Sequence, residues 1–121
     1  MPCQIAAIRR IFHDKLDDLL LVDLVCHGTM PYEYLKQYIG YIEKSYCKKA
    51  VRLTFRDPAK GTENFALSLY DEKDVCFYSC ASFADIYQFA YHCMVAYREI
   101  VNHCCYANSN RVSDMTLSDY K

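Results

Sequence analysis

Three short runs alternate between apolar and polar residues: "AVRLTFR" (50–56), "NFALSLY" (64–70) and "VCFYS" (75–79). In the first, Val51, Leu53 and Phe55 stand against Arg52, Thr54 and Arg56. In the second, Phe65, Leu67 and Leu69 repeat the pattern. Successive side chains of an extended chain point to opposite faces, so this alternation makes half-buried strands. The connections "DPAKGTE" (57–63) and "DEKD" (71–74) are polar and too short for a crossover helix. The three runs therefore form an antiparallel meander. Its apolar face needs other elements to cover it.

The rest of the chain supplies the cover. "PCQIAAIRRIFHDKL" (2–16) places Pro2 at a first helical position, with Ile5, Ile8 and Phe12 opposite Arg9 and Arg10. "PYEYLKQYIGYIEKSY" (31–46) opens on Pro31 and carries Leu35, Tyr38, Ile39, Ile42 and Tyr46 on one stripe, an amphipathic helix. Residues 82–104 begin with Ser82-x-x-Asp85, a capping-box pattern. They continue through Phe83, Ile86, Tyr87, Ala90, Met94, Tyr97 and Val101, which predicts one long helix. "LLLVDLV" (19–25), closed by Gly28, reads as a buried central strand. Asn108 and Asn110 make a turn, and Val112, Met115, Leu117 and Tyr120 form a last strand. The expected fold is α+β, with helices packed on a mixed sheet that contains the meander. A length of 121 residues suits a single domain over 1–121. Met1 standing directly before the first helical turn, and Lys121 stopping just after an alternating stretch, suggest a domain cut from a longer protein.

Charge and hydropathy exclude several classes of function. A net charge of −1 with scattered Lys and Arg gives no field for gathering nucleic acid. The longest apolar run is interrupted by Asp23 and too short to span a bilayer. Met1-Pro2-Cys3 does not open a secretory leader, so a cytoplasmic location is expected. There is no Gly-x-Ser-x-Gly, phosphate-loop or dinucleotide-binding glycine signature.

Eight cysteines in such a chain is a high count. Without a leader they read as reduced thiols, either apolar core filler or thiolate ligands. Cys26 follows the predicted strand and precedes His27 and Gly28, a rim position that ligands favour. Cys3 lies in a first helical turn, where free N–H groups favour a thiolate. Cys104 and Cys105 are adjacent, so at most one of them serves a given metal. Cys47, Cys76 and Cys93 read as packing residues, and Cys80 stays open. Cys76 and Cys80 have a spacing that zinc tolerates, but no second clean pair faces them; His92-Cys93 and His103-Cys104 are adjacent. Arg56 and Lys60 stand where a phosphate could be touched, although a surface ion pair would use the same residues.

Four stretches in order carry a resemblance: "PCQIAAIRRIF" (2–12), "VDLVCHG" (22–28), "FRD" (55–57) with "KG" (60–61), and "CYANSNRVSDMTLSDY" (105–120). Together they resemble the C-terminal domain of the beta subunit of coenzyme F-420 hydrogenases and dehydrogenases. Members of that family read Pro-Cys-Gln, then Asp-Leu-x-Cys-His-Gly, then Phe-Arg-Asp. They close with Cys-x-x-Cys, a turn and Arg-x-Ser-Asp-Ile-Thr-x-Gly-Asp-Phe-Trp.

The resemblance implies an oxidoreductase-type domain of a longer redox subunit, inactive in isolation. It implies electron transfer through an iron–sulfur cluster and FAD, with other redox subunits or domains, or a second copy, as partners. Carried over by position, the cluster thiolates are Cys3, Cys26 and Cys104, with Cys105, Cys80 or Cys93 as a substitute for the fourth and His103 as a non-cysteine candidate. Arg56 and Lys60 become the flavin-side candidates. The first cysteine of the closing Cys-x-x-Cys is Val101 here. Thr62 stands where members have Trp, and Ser118-Asp119-Tyr120-Lys121 replaces Gly-Asp-Phe-Trp. These departures suit a second reading, a diverged non-catalytic domain used for structure or protein interaction. A small zinc-stabilised domain is the third.

Overall fold

The computed structural model describes residues 1–12, 18–107 and 111–118. The end of the first predicted helix, the turn at Asn108 and Asn110, and Tyr120 of the last predicted strand lie outside the described residues. The elements run α1 (Pro2–Phe12), β1 (Val22–Leu24), α2 (Tyr32–Tyr46), β2 (Arg52–Thr54), β3 (Leu67–Tyr70), β4 (Cys76–Cys80), α3 (Ile86–His92), α4 (Glu99–Asn102) and β5 (Met115–Leu117). The fold is α+β, as expected. Its parallel pairing and its meander form two separate sheets. The chain divides into two compact units: a terminal unit of residues 1–28 and 99–121, and a central unit of residues 29–98.

The central unit is built on the predicted meander, in the order β2-β3-β4, antiparallel throughout. Leu53 pairs with Leu69 and Leu69 with Tyr78, which sets the alternating residues on shared faces. All four residues of β3 are buried. As the middle strand it is covered on both faces, so even Ser68 is inside, where its hydroxyl meets that of Ser79 at 3.0 Å. The core consists of Ile42 from α2 with Leu67 and Leu69, flanked by Tyr38, Ile39, Leu53, Phe77, Tyr78 and Tyr87. The β3–β4 turn is organised by Asp71. Its carboxylate accepts from Lys73 N at 3.1 Å and Val75 N at 3.0 Å, the self-capping habit of Asp in turns, and pairs with Lys48 Nζ at 2.8 Å.

The long helix predicted over 82–104 is corrected. Only Ile86–His92 is helical before the chain turns at Cys93 and Met94; helix returns at Glu99. Met94 has φ +58, the left-handed conformation that ends helices. The apolar stripe marked a buried face only in part: Phe83, Ile86 and Met94 are exposed, whereas Tyr87, Ala90, Tyr97 and Val101 are half-buried. The cap is also displaced. Asp85, not Ser82, is the N-cap, its Oδ1 accepting from Gln88 N at 2.9 Å.

In the terminal unit β1 pairs in parallel with β5, Val22 opposite Met115, Asp23 opposite Thr116 and Leu24 opposite Leu117. The expected buried central strand is corrected here too. Val22 is 40% and Leu24 58% exposed, whereas Asp23 is 2% exposed. Strand parity explains the reversal: Leu21 and Asp23 face inward together, so Val22 and Leu24 must face out. Asp114 fixes that parity. Its Oδ2 accepts from Leu21 N at 2.8 Å, and its own N–H donates to Leu21 O at 2.9 Å. Its Oδ1 receives Arg9 Nη2 from α1 at 2.6 Å. Arg9 Nε donates to the carbonyl of Val112. One carboxylate thus ties α1, β1 and β5 together.

The Leu21 N–H and the Arg9 guanidinium hold the Asp114 carboxyl below the usual carboxylate range. A depressed pKa contributes stability above the unfolded-state value and loses it as pH falls through the folded-state value. The terminal unit is therefore expected to loosen on acidification below about pH 4, near the ordinary Asp pKa. Asp114→Asn should flatten that acid limb in a pH series of thermal melts and lower Tm at neutral pH.

Candidate functional site

None of the eight cysteines is in a disulfide, and none is buried. Cys76 and Cys80 on β4 are half-buried; the other six are exposed. The core-filler reading of Cys47 and Cys93 is corrected: each follows the last residue of a helix, α2 or α3, at an exposed C-cap. Cys47 has φ +50, so its conformation rather than its packing distinguishes it.

The four thiols singled out for a cluster, Cys3, Cys26, Cys104 and Cys105, all belong to the terminal unit, and the other four to the central unit. Cys3 is in the first turn of α1. Gln4 N and Ile5 N close that turn on Met1 O at 3.0 and 3.2 Å. Cys26 follows β1, where Val25 N extends the parallel ladder to Leu117 O at 2.9 Å. The Cys26 thiol donates to Met1 Sδ at 3.7 Å, so it lies against the residue that starts the Cys3 turn. Cys104 leaves α4 with its N–H on Val101 O at 3.2 Å. The residue in place of the missing cysteine and Cys104 are therefore joined through one hydrogen-bonded turn. Among the described residues, no group of three or more His, Cys, Asp or Glu side chains is placed to hold a metal ion. The thiols share a unit but are not assembled into a cage.

Asp23 lies in the same unit. Its side chain faces the hydroxyls of Thr116 and Ser113. Those hydroxyls instead reach hydrogen-bonding distance of each other, at 3.1 Å. Neither Asp23 oxygen has a hydrogen-bond partner among the described residues.

Arg56 and Lys60 lie in the central unit, on the exposed connection after β2. The Arg56 guanidinium sits 4.1 Å from the centre of the Phe65 ring, a cation–π contact. The Asp57 beside it is buried and structural: it accepts from Ala59 N at 3.0 Å and from the Tyr70 hydroxyl, capping the 3-10 turn Pro58–Lys60. Gly61 has φ +81, and a Cβ there would lie 2.4 Å from Glu63 Oε1. The loop needs glycine for that positive φ, since the Glu63 carboxylate is the end of a flexible side chain that could move aside.

Sequence reasoning missed the densest polar cluster of the central unit. The hydroxyls of Tyr38 (α2) and Tyr78 (β4) lie 2.9 Å apart. Both donate to Asp85 Oδ2, at 2.8 and 2.9 Å. Tyr87 stacks on Tyr38 at 5.9 Å and on Phe55 at 6.2 Å, and Tyr46 meets Tyr78 edge-on at 5.9 Å. Asp85 was visible only as part of a capping pattern, and the tyrosines only as stripe and strand members. Burial, then the Asp85 contact, pushes the Tyr38 phenol up to about 12. Burial and the same partners raise Tyr78 as well. A raised phenol pKa contributes stability that is complete below the unfolded value, about 10, and lost as pH climbs toward the folded value. The central unit is expected to lose stability between pH 10 and 12. Tyr38→Phe should shrink that alkaline slope in urea unfolding series.

Residues 1–121 match the family described as the C terminus of the beta subunit of coenzyme F-420 hydrogenase/dehydrogenase. The chain belongs to that family. The match spans the whole sequence, including all four stretches that carried the resemblance. No curated protein and no solved structure matches the chain. Within this family domain, two of the recognisable acidic positions are accounted for by folding: Asp57 of "FRD" caps a turn and Asp114 of "RVSDMT" ties three elements. No helix among the described residues is long and apolar enough to cross a membrane.

Proposed function

We propose that this coenzyme F-420 hydrogenase/dehydrogenase beta-subunit domain serves electron transfer, working with other redox subunits or domains. In this reading Cys3, Cys26, Cys104 and Cys105 are the thiolates offered to an iron–sulfur cluster, which would supply one-electron chemistry when bound. One observation carries the reading: thiols from both ends of the chain are sorted into one unit, none in a disulfide and all exposed. The contact of Cys26 with Met1 supports it by setting Cys26 beside the Cys3 turn.

The thiols as folded do not fit a ready four-thiolate site, because no three donors are gathered. Binding must draw them together, and its free energy is then partly spent on that rearrangement. Val101 explains part of the gap, since it stands on α4 one turn before Cys104. Arg56 and Lys60 are the proposed phosphate contacts for FAD. Glu63, folded over Gly61 beside them, works against an anion there.

Anaerobic reconstitution followed by iron and sulfide analysis tests the reading. Val101→Cys, which restores the Cys-x-x-Cys, is expected to raise bound iron at least about threefold over the wild type, given a cluster's demand for four thiolates. Near-zero iron in both proteins, each folded by circular dichroism, would overturn cluster binding. The second reading, a structural or interaction domain, would then stand, favoured by the ungathered thiols. Zinc bound in place of iron, with unfolding on chelation, would select the zinc-stabilised alternative.

A further inference from the structure

The Tyr38–Tyr78–Asp85 cluster has a chemistry that neither packing nor capping requires. Oxidising a phenol makes its O–H strongly acidic, so a tyrosine gives up an electron readily only where a base takes the proton at once. Tyr38 and Tyr78 both meet that condition, since each hydroxyl already donates to the carboxylate of Asp85. Three oxygen atoms lie mutually within 2.9 Å, while the two phenols supply two protons for the three contacts. After one phenol is oxidised, the other is still in place to donate to the phenoxyl oxygen.

The cluster is also wired outward through aromatic rings. Tyr46, 52% exposed, contacts Tyr78 at 5.9 Å. On the other side, Tyr87 links Tyr38 to the exposed Phe55 through contacts of 5.9 and 6.2 Å. The two tyrosines are half-buried, which shields a radical from bimolecular quenching while leaving a route to the surface.

We infer that Tyr38 and Tyr78, with Asp85 as proton acceptor, form a redox-active tyrosine pair that takes an oxidising equivalent from the surface and holds it as a phenoxyl radical. One electron leaves a phenol for a one-electron oxidant, reaching the surface through Tyr46. The phenolic proton moves to Asp85 Oδ2, so a carboxylate becomes a carboxylic acid and the phenol a neutral radical. A one-electron reductant such as ascorbate returns the electron, and Asp85 returns the proton. The inference needs no iron or flavin and is independent of the cluster reading.

The test is flash-quench oxidation of the full chain with photogenerated tris(bipyridine)ruthenium(III), following phenoxyl absorption and its paramagnetic resonance signal. The chain has twelve tyrosines, so localisation rests on variants. The Tyr38→Phe/Tyr78→Phe double variant keeps both rings and is expected to shorten the radical lifetime about tenfold, the factor that one charge-assisted hydrogen bond carries. Asp85→Asn keeps an oxygen acceptor but removes the base, and is expected to slow radical formation by about the same factor. Tyr32→Phe/Tyr41→Phe, which changes two exposed tyrosines outside the cluster, should leave both rates unchanged. A double cluster variant whose radical forms and decays as in the wild type would overturn the inference, whether or not Asp85→Asn folds. So would loss of the long-lived radical in Tyr32→Phe/Tyr41→Phe.

Discussion

Leu69→Ala is expected to cost the central unit about 3.5 kcal/mol, the middle of the range for emptying a fully buried leucine site. Leu69 has no exposed surface and sits on the middle strand. It is paired with Leu53 on one side and Tyr78 on the other. Strands fixed on both sides cannot collapse into the space left by three lost carbons, so most of the cavity persists. Leu53→Ala, on the half-buried outer strand β2, should cost less than half as much. Equilibrium urea unfolding followed by tyrosine fluorescence measures both. Equal losses would mean that the outer strand β2 is packed as tightly as the middle strand β3.

Asp85→Ala is expected to cost about 2–3 kcal/mol, for a different reason. The side chain caps α3 through Gln88 N and accepts both tyrosine hydroxyls. Loss of a helix cap costs about 1 kcal/mol. Stranding two half-buried hydroxyls that had a charged acceptor costs about 1–2 kcal/mol more, because they can still donate to each other. Asp85→Asn keeps one oxygen for the cap or the phenols but not a charge, and should cost about half of the alanine loss. A loss below about 1 kcal/mol for Asp85→Ala would show that water replaces the carboxylate freely. Leu69 pairs with Tyr78, so the two losses share a neighbour and should not add.

The meander and the first two helices were legible where an apolar residue of the pattern is buried, as at Ile5, Ile42, Leu67 and Leu69, although Phe12 and Tyr46 of the same stripes are exposed. Leu53, Leu67 and Leu69 face inward as the alternation required, but Val51 and Phe55 are exposed and Ser68 is buried with the rest of β3; Ile42 on the α2 stripe is the deepest residue of its helix. The same rule misled where apolar residues face out. In "LLLVDLV" the polar Asp23 is the inward residue, because Asp114 sets the register through Leu21, a partner far along the chain. In 82–104 the stripe runs on through Met94 although the backbone there turns left-handed. Nothing in a helical period encodes that turn. The thiol set was readable only through the four-stretch resemblance, since no pair in it has a metal-like spacing. The tyrosine–aspartate cluster was unreadable, as it joins α2, β4 and the start of α3, and none of the three carries a local signature.

The division of the chain into an interrupted terminal unit and a continuous central one has a consequence for how the molecule matures. Cys3 and Cys26 leave the ribosome before any of residues 29–98, and Cys104 and Cys105 only after all of them. The central unit can complete its fold while the terminal unit still lacks its second half, including β5 and Asp114. Two early thiols must therefore wait in an unfinished neighbourhood until the whole of the central unit has been made. A prosthetic group that draws on both sets is loaded only once both halves of the terminal unit have emerged.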